Sequence, residues 1–348
     1  MLLRELSLLN FRTYRSFSFS PAPGVNLIWG ENGAGKTNLL EAVYLLGQGM
    51  ISRTRREEEL ILAGEERALI RARLEGRRGC FAVAVELERG GRRRNLLDGR
   101  EVPAGLLERR VPVVYLGVED LEIVSGPPLF RRRFLDRLLS LAYPVYGSLL
   151  ERFRALLRER NAALREVRAG RMSRDLLAIW DEPFRDLAEE IWRRREEFRP
   201  LLAARLREAW ELLGGEGEMR LIHLPAREEG LLLREEEMGT SLWGPHRDGW
   251  ELEKDGFPVR HFASQGERRT LLAALKWTEA ALLRERAGEE PILLLDDFLS
   301  DLDERRKERF LSAARQAEQA FITSAYSHIL EDGGGASFLI ERRLESLA

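Results

Sequence analysis

The sequence predicts an α/β fold in which a mixed sheet carrying a phosphate-binding loop is interrupted by an all-helical lobe. Three observations predict it. The apolar run Val25–Trp29 meets the loop Gly30-Glu31-Asn32-Gly33-Ala34-Gly35-Lys36-Thr37, and the helical pattern Asn38–Leu46 follows. Residues 129–213 carry Leu, Phe and Trp at three- and four-residue spacing. Pro291–Leu295 is a second apolar run, and it ends in Asp296-Asp297.

Composition sets the bounds. At 348 residues, 44% hydrophobic and 33% charged, the chain is long enough for two or three domains and too apolar to be disordered. No apolar run approaches the roughly 18 residues that span a bilayer, and MLLRELSLLNFR alternates charge with leucine, so a cytoplasmic protein is expected. The lone Cys80 is expected to pack within a strand. A net charge of −2 argues against a uniformly basic nucleic-acid binder; the first two thirds of the chain are mildly basic and the last third is acidic.

The elements follow in order. Leu2–Ser20 alternates as two strands joined by a turn at Arg12–Tyr14. In the loop, glycine lets the backbone wrap a polyphosphate while the following helix aims its positive end there. Lys36 is then expected to reach the β and γ phosphates of ATP, and Thr37 to hold Mg²⁺. After an Arg-rich connection at 51–56, Ala68–Leu74, Cys80–Leu87 and Arg93–Leu97 read as strands of a β-rich subdomain, with turns at Gly76–Gly79, Gly90-Gly91 and Asp98-Gly99. Arg92-Arg93-Arg94 would sit at a hairpin tip, where they could reach DNA phosphates or form a solvated charge run. Val111–Leu116 is a further strand.

The helical stretch divides at Tyr143-Pro144, Gly170 and Pro200 into Leu129–Ala142, Val145–Val167, Asp175–Phe198 and Leu201–Leu213, a compact lobe of short helices. Strands near Met219–Leu224 and Trp250–Lys254 and a helix over Gly266–Arg286 come next, and Gln319–Thr323 and Phe338–Arg342 close the chain. Three domains result: 1–128, the first part of the nucleotide lobe; 129–213, the helical lobe; and 214–348, the second part of the nucleotide lobe. Read alone, Pro291–Asp297 is any buried parallel strand ending in acids; in a phosphate-binding-loop protein it is the expected Walker B strand, with Asp296 holding Mg²⁺. Ser264-Gln265-Gly266-Glu267, read alone, is an N-cap with an acidic first turn. Placed about 30 residues before ILLLDD, with Ser300-Asp301-Leu302-Asp303 after it, it matches the signature and D-loop of ATP-binding-cassette (ABC) ATPases.

These motifs resemble the SMC-like branch of the ABC ATPases, and within it the RecF family. The likeness runs through LSLLNFRTY, GENGAGKTNLLEAVYLL, EDLEIVSGPPLFRRRFLD, GPHRDG, SQGERRTLLAALK and LLLDDFLSDLD. It implies an ABC-type head with an inserted helical lobe, an ATP-driven homodimer that clamps DNA, and loading of RecA recombinase at gaps or stalled forks together with RecO and RecR. In that architecture Ser264 and Gly266 would meet the γ-phosphate held by Lys36 of a second subunit. Asp297 stands where most cassette ATPases have a glutamate base, one methylene longer, so slow, DNA-stimulated ATP hydrolysis is expected; Glu119 and Asp120 are the next carboxylates to consider. Gly249 replaces the second acid after the GPHR motif, and Thr323, with His328 nearby, stands at the switch position without the histidine of transporters. The alternatives are another SMC-like head or, further off, a transporter subunit, which would place its helical insert directly before the signature. A small kinase would not explain the signature or the D-loop, and a cassette nuclease would need an added catalytic domain with more carboxylates, whereas about 45 residues follow the D-loop.

Overall fold

The computed structural model describes residues 1–47, 54, 56–300, 302–326 and 335–341. Most of the 51–56 connection, Asp301 of the D-loop, His328 and Arg342 lie outside the described residues. The elements in chain order are β1 (Leu2–Phe11), β2 (Tyr14–Phe19), β3 (Gly24–Trp29), α1 (Lys36–Leu45), β4 (Arg67–Gly76), β5 (Gly79–Glu88), β6 (Arg94–Leu97), β7 (Arg100–Glu101), α2 (Ala104–Arg110), β8 (Val113–Gly117), α3 (Leu121–Ser125), α4 (Pro128–Ala142), α5 (Pro144–Arg168) and α6 (Ala178–Leu212). They continue with β9 (Met219–Leu224), α7 (Glu229–Met238), β10 (Gly249–Lys254), β11 (Phe257–Pro258), α8 (Val259–Phe262), α9 (Gln265–Ala287), β12 (Ile292–Asp296), α10 (Glu304–Ala314), β13 (Gln319–Ser324) and β14 (Ala336–Leu339).

Two compact units divide these elements. The first comprises Met1–Leu121, Leu212–Gly214 and Leu272–Ala348; the second comprises Glu122–Glu211 and Gly215–Leu271. In the first unit, strand order β14-β3-β13-β12-β8 makes a five-stranded sheet whose pairings are all parallel. Every residue of β8, β12 and β13 is buried, as strands covered on both faces must be, which is why β8 and β12 read as apolar runs. The second sheet of this unit, β2-β1-β4-β5-β6-β7, is antiparallel and one-sided. Leu6 and Leu8 of β1, Ile70 and Leu74 of β4, and Val83 and Val85 of β5 share one core with Leu39 and Val43 of α1 and with Ile28, Leu294 and Phe321 of the parallel sheet. Alternation also corrects one expectation. Phe81, Val83, Val85 and Leu87 take the inward face of β5, so Cys80 falls on the outer face and is exposed.

The second unit departs from the expected boundaries. Residues 215–271, assigned from sequence to the nucleotide lobe, belong with the helices, because β9 and β10 pair antiparallel and are tied to them by buried charge. Arg131 of α4 donates through Nε to the Trp250 carbonyl at 2.8 Å. Asp248, fully buried at the head of β10, accepts from Trp192 Nε1 (2.9 Å), from the Ala226 N–H (2.9 Å) and from Arg195, and lies 2.7 Å from His223 Nε2. Arg195 also reaches Asp136 Oδ1 at 2.7 Å, and the Tyr146 hydroxyl donates to the same oxygen. Burial pushes the Asp248 carboxyl up, but the His223 hydrogen bond and the Arg195 charge outweigh it and hold it below the usual range. The expected break at Pro200 is also absent. Helix α6 runs 35 residues, about 52 Å, through Pro183 and Pro200, and Phe198, Leu202 and Leu206 stay buried across the second proline. A proline inside a helix removes one hydrogen bond, and the apolar stripe on either side of Pro200 offsets that loss.

Candidate nucleotide-binding site

The strands of the parallel sheet all end at one edge, where open α/β sheets bind ligands. There the loop after β3 bends through Gly30 (φ 151°), Gly33 (φ 83°) and Gly35 (φ 108°), backbone that side chains other than glycine rarely adopt. At Gly35 a Cβ would also press on Tyr14 Oη at 3.0 Å and Thr13 Oγ1 at 3.1 Å, and at Gly30 it would collide with the Ile340 carbonyl. Glu31, Asn32 and Gly33 form the exposed tip, while Ala34, Gly35 and Lys36 are buried. The first N–H groups of α1 have no partner within the helix and point into the loop.

Lys36 Nζ donates to the Gly30 carbonyl at 2.7 Å and to the Glu31 carbonyl at 2.8 Å, which holds the ammonium over the loop. Burial lowers its pKa, and the charges of Asp297 and then Asp296 work against that shift. Thr37 Oγ1 donates to Asp296 Oδ1 at 3.0 Å, so the loop hydroxyl and the Walker B carboxylate meet across 259 residues of sequence. A hydroxyl beside a carboxylate is a hard oxygen pair of the kind Mg²⁺ takes when phosphates and water supply its other ligands, and a loop of inward N–H groups fits a polyphosphate.

Asp296 is held more fully than sequence alone shows. Thr323 Oγ1 donates to its Oδ1 at 2.7 Å, and Tyr115 Oη donates to its Oδ2 at 2.9 Å. The Tyr115 position follows from register: β8 lies parallel to β12 with Leu294 opposite Tyr115. Burial, then the Asp296 charge, drive the Tyr115 phenol far above its ordinary pKa, so it stays a donor. Thr323 does a second job, accepting from the Asp297 N–H at 2.8 Å. Asp297 itself is exposed and has φ 47°, a left-handed backbone that costs a non-glycine residue about 1 kcal/mol.

A brace behind the loop was also missed. The β1–β2 turn sends Tyr14 Oη to the Gly35 carbonyl (3.0 Å), and Thr13 Oγ1 accepts from Asn38 Nδ2 (3.0 Å). Arg12 grips both oxygens of the buried Glu41 at 2.9 Å each. A charge at a core position of the apolar pattern LLEAVYLL is the signal that could have found it.

The remaining predicted residues divide. Ser264 and Gly266 lie in the second unit, at the start of α9. The Ser264 N–H and Oγ each donate to Glu267 Oε2 at 2.8 Å and the Glu267 N–H returns to Ser264 Oγ at 3.3 Å, a capping box, with Lys254 Nζ on the other Glu267 oxygen at 2.8 Å. Led by the Lys254 hydrogen bond, these contacts bring the Glu267 carboxyl down to about 2. Asp120 accepts from the Gly117 N–H (3.2 Å) and pairs with Lys276 (3.3 Å), so its carboxylate is committed to holding its own turn. Of the arginine trio, Arg93 alone departs from the exposed hairpin tip that was expected. Arg93 is half-buried and reaches Asn95 Oδ1 and the Leu45 carbonyl at the end of α1, 2.8 Å each, because that helix end needs a donor. Arg94 pairs with Glu86 (2.8 Å) and Glu101 (3.1 Å), which leaves Arg92 as the exposed guanidinium nearest the expected role.

Comparison with known proteins agrees with this geometry. The family described as RecF/RecN/SMC N terminal domain matches residues 2–340. The chain is 35% identical over 331 residues to the DNA replication and repair protein RecF of Moorella thermoacetica, covering 92% of this chain and 89% of that one. It is 39% identical over 329 residues to RecF of Deinococcus radiodurans, with the same coverage. A solved structure of the recombination mediator protein RecF-ATPrS in the RecFOR pathway superposes with a TM-score of 0.87 at 27% identity, covering 98% of this chain and 96% of that one. A match this complete, on a fold with an ABC-type head and a helical lobe, shows that the chain belongs to the RecF family of SMC-like ATPases.

Proposed function

We propose that this chain is an ATP-dependent, DNA-binding recombination mediator that dimerises on ATP, acts at gaps and stalled forks with RecO and RecR to load RecA, and hydrolyses ATP slowly. One observation carries the nucleotide part: Thr37 and Asp296 meet at 3.0 Å under a loop shaped by glycines. Lys36 would exchange its two carbonyl partners for β and γ phosphate oxygens. Thr37 and Asp296 would hold Mg²⁺, which neutralises phosphate charge when bound. Asp297 would orient and deprotonate the attacking water, and Ser264 and Gly266 of a second copy would complete the site. DNA, RecO and RecR enter through family membership and through the names carried by the relatives.

The decisive experiment separates the two aspartates. Asp297→Asn should keep ATP and Mg²⁺ binding, lose on the order of a hundredfold or more in hydrolysis, and trap the ATP dimer on DNA. Asp296→Asn should weaken Mg²⁺-dependent binding itself. Hydrolysis by Asp297→Asn at the parent rate would remove Asp297 as the base, and a rate that does not rise on adding DNA would remove the coupling to DNA.

A further inference from the structure

Two pairs of exposed apolar side chains stand, by chain position and strand register, beside the two halves of the proposed composite site. Beside the signature, the tight turn at Asp255 (φ 52°) and Gly256 (φ 82°) lifts Phe257, 58% exposed, to within 5.3 Å, ring centre to ring centre, of Phe262, 69% exposed. Phe262 stands two residues before Ser264. Beside the phosphate-binding loop, Tyr326 is 63% exposed and Leu339 47%. Leu339 pairs in register with Trp29, the residue before Gly30, and Tyr326 follows two residues after Ser324, which also registers with Trp29.

We propose that Phe257 and Phe262 of one copy close on Tyr326 and Leu339 of a second copy when ATP joins them. The inference rests on the composite-site reading, in which the signature of each protomer meets the loop of the other. A twofold interface is self-complementary, so a patch beside the signature must face whatever borders the partner's loop, and the contact forms twice. Each pair carries an exposed aromatic side chain, the type that dominates interface energetics. Charge argues against a nucleic acid as occupant of the phenylalanine pair. Lys254 is neutralised by Glu267 at 2.8 Å and Asp255 at 3.5 Å, and Arg260 by Glu251 at 3.0 Å, so a polyanion finds little net positive charge there.

The test is sedimentation of the full chain with Mg²⁺ and a non-hydrolysable ATP analogue. It compares the parent, Phe257→Ser/Phe262→Ser, Tyr326→Ser/Leu339→Ser, and an equimolar mixture of the two double variants. Each double variant alone should dimerise at least about tenfold more weakly. Nucleotide affinity of the Phe257→Ser/Phe262→Ser monomer should stay at the parent value. The mixture should dimerise more tightly than either component, since a mixed dimer keeps one half with both patches intact. Unchanged dimerisation of Phe257→Ser/Phe262→Ser, or a mixture no tighter than its components, overturns the inference. So does a loss of single-stranded DNA binding by that variant while it dimerises like the parent. If the parent stays monomeric with the analogue, or Ser264→Arg dimerises as the parent does, the composite-site reading itself has failed.

Discussion

Thr323 shows how one hydroxyl can serve two neighbouring aspartates, one through its carboxylate and the other through its backbone. It donates to Asp296 Oδ1 and accepts from the Asp297 N–H, so it fixes the metal-binding candidate and the left-handed turn that aims the candidate base. Valine has the same shape and neither hydrogen bond. Thr323→Val should lower kcat on the order of tenfold while ATP affinity holds within about twofold, because misaiming acts on the chemical step before it acts on binding. Thr323→Ser should restore the rate. Equal loss in both variants, or a fall in ATP affinity that matches the fall in kcat, would make the residue merely structural. The role was only partly legible from sequence. A switch position is found by counting from the Walker B strand, but its partners follow from β13 lying beside β12, with Ile322 opposite Leu295, which no local pattern encodes.

At the scale of elements, what was legible follows from range. The loop, the Walker B strand and the capping box at Ser264 depend on neighbours within a few residues, and the structure shows each as a strand end or a helix start where the pattern put it. The tie between helices and sheet in the second unit depends on Asp136, Arg195, His223 and Asp248, which no periodicity brings together, and so residues 215–271 were misassigned. Pro200 misled for the opposite reason: a strong local signal lost to the burial of Phe198, Leu202 and Leu206 around it. The buried network carries its own prediction. Asp248→Ala strands the Arg195 guanidinium, 1% exposed, with one of its two carboxylates gone, and should destabilise the second unit by roughly 3–5 kcal/mol in denaturant unfolding. A loss below about 1 kcal/mol would mean that the network is not what joins β10 to α6.

Across the whole molecule, the second unit is nearly one stretch of chain, broken only at Leu212–Gly214. A fragment spanning 122–271 should therefore fold alone and show one cooperative transition by tryptophan fluorescence, since Trp192, Trp243 and Trp250 are all buried within it. Its stability should depend on pH through His246, whose pKa burial lowers to about 4. Unfolded, the imidazole returns to about 6.5, so between those values the unfolded chain binds a proton that the folded one refuses, and stability falls as pH drops from about 6.5 to 4. His246→Gln should flatten that slope; an equal slope in both proteins would place the dependence elsewhere. The first unit follows a different order of events. Strand β3 lies between β13 and β14, so the strand that delivers the phosphate-binding loop leaves the ribosome with neither neighbour yet made. Gly30, moreover, is seated against the carbonyl of Ile340. At 5–20 residues per second the loop waits roughly 15–60 s for that contact, and a chain stalled before β13 holds the whole Gly30–Thr37 motif but not the sheet that shapes it.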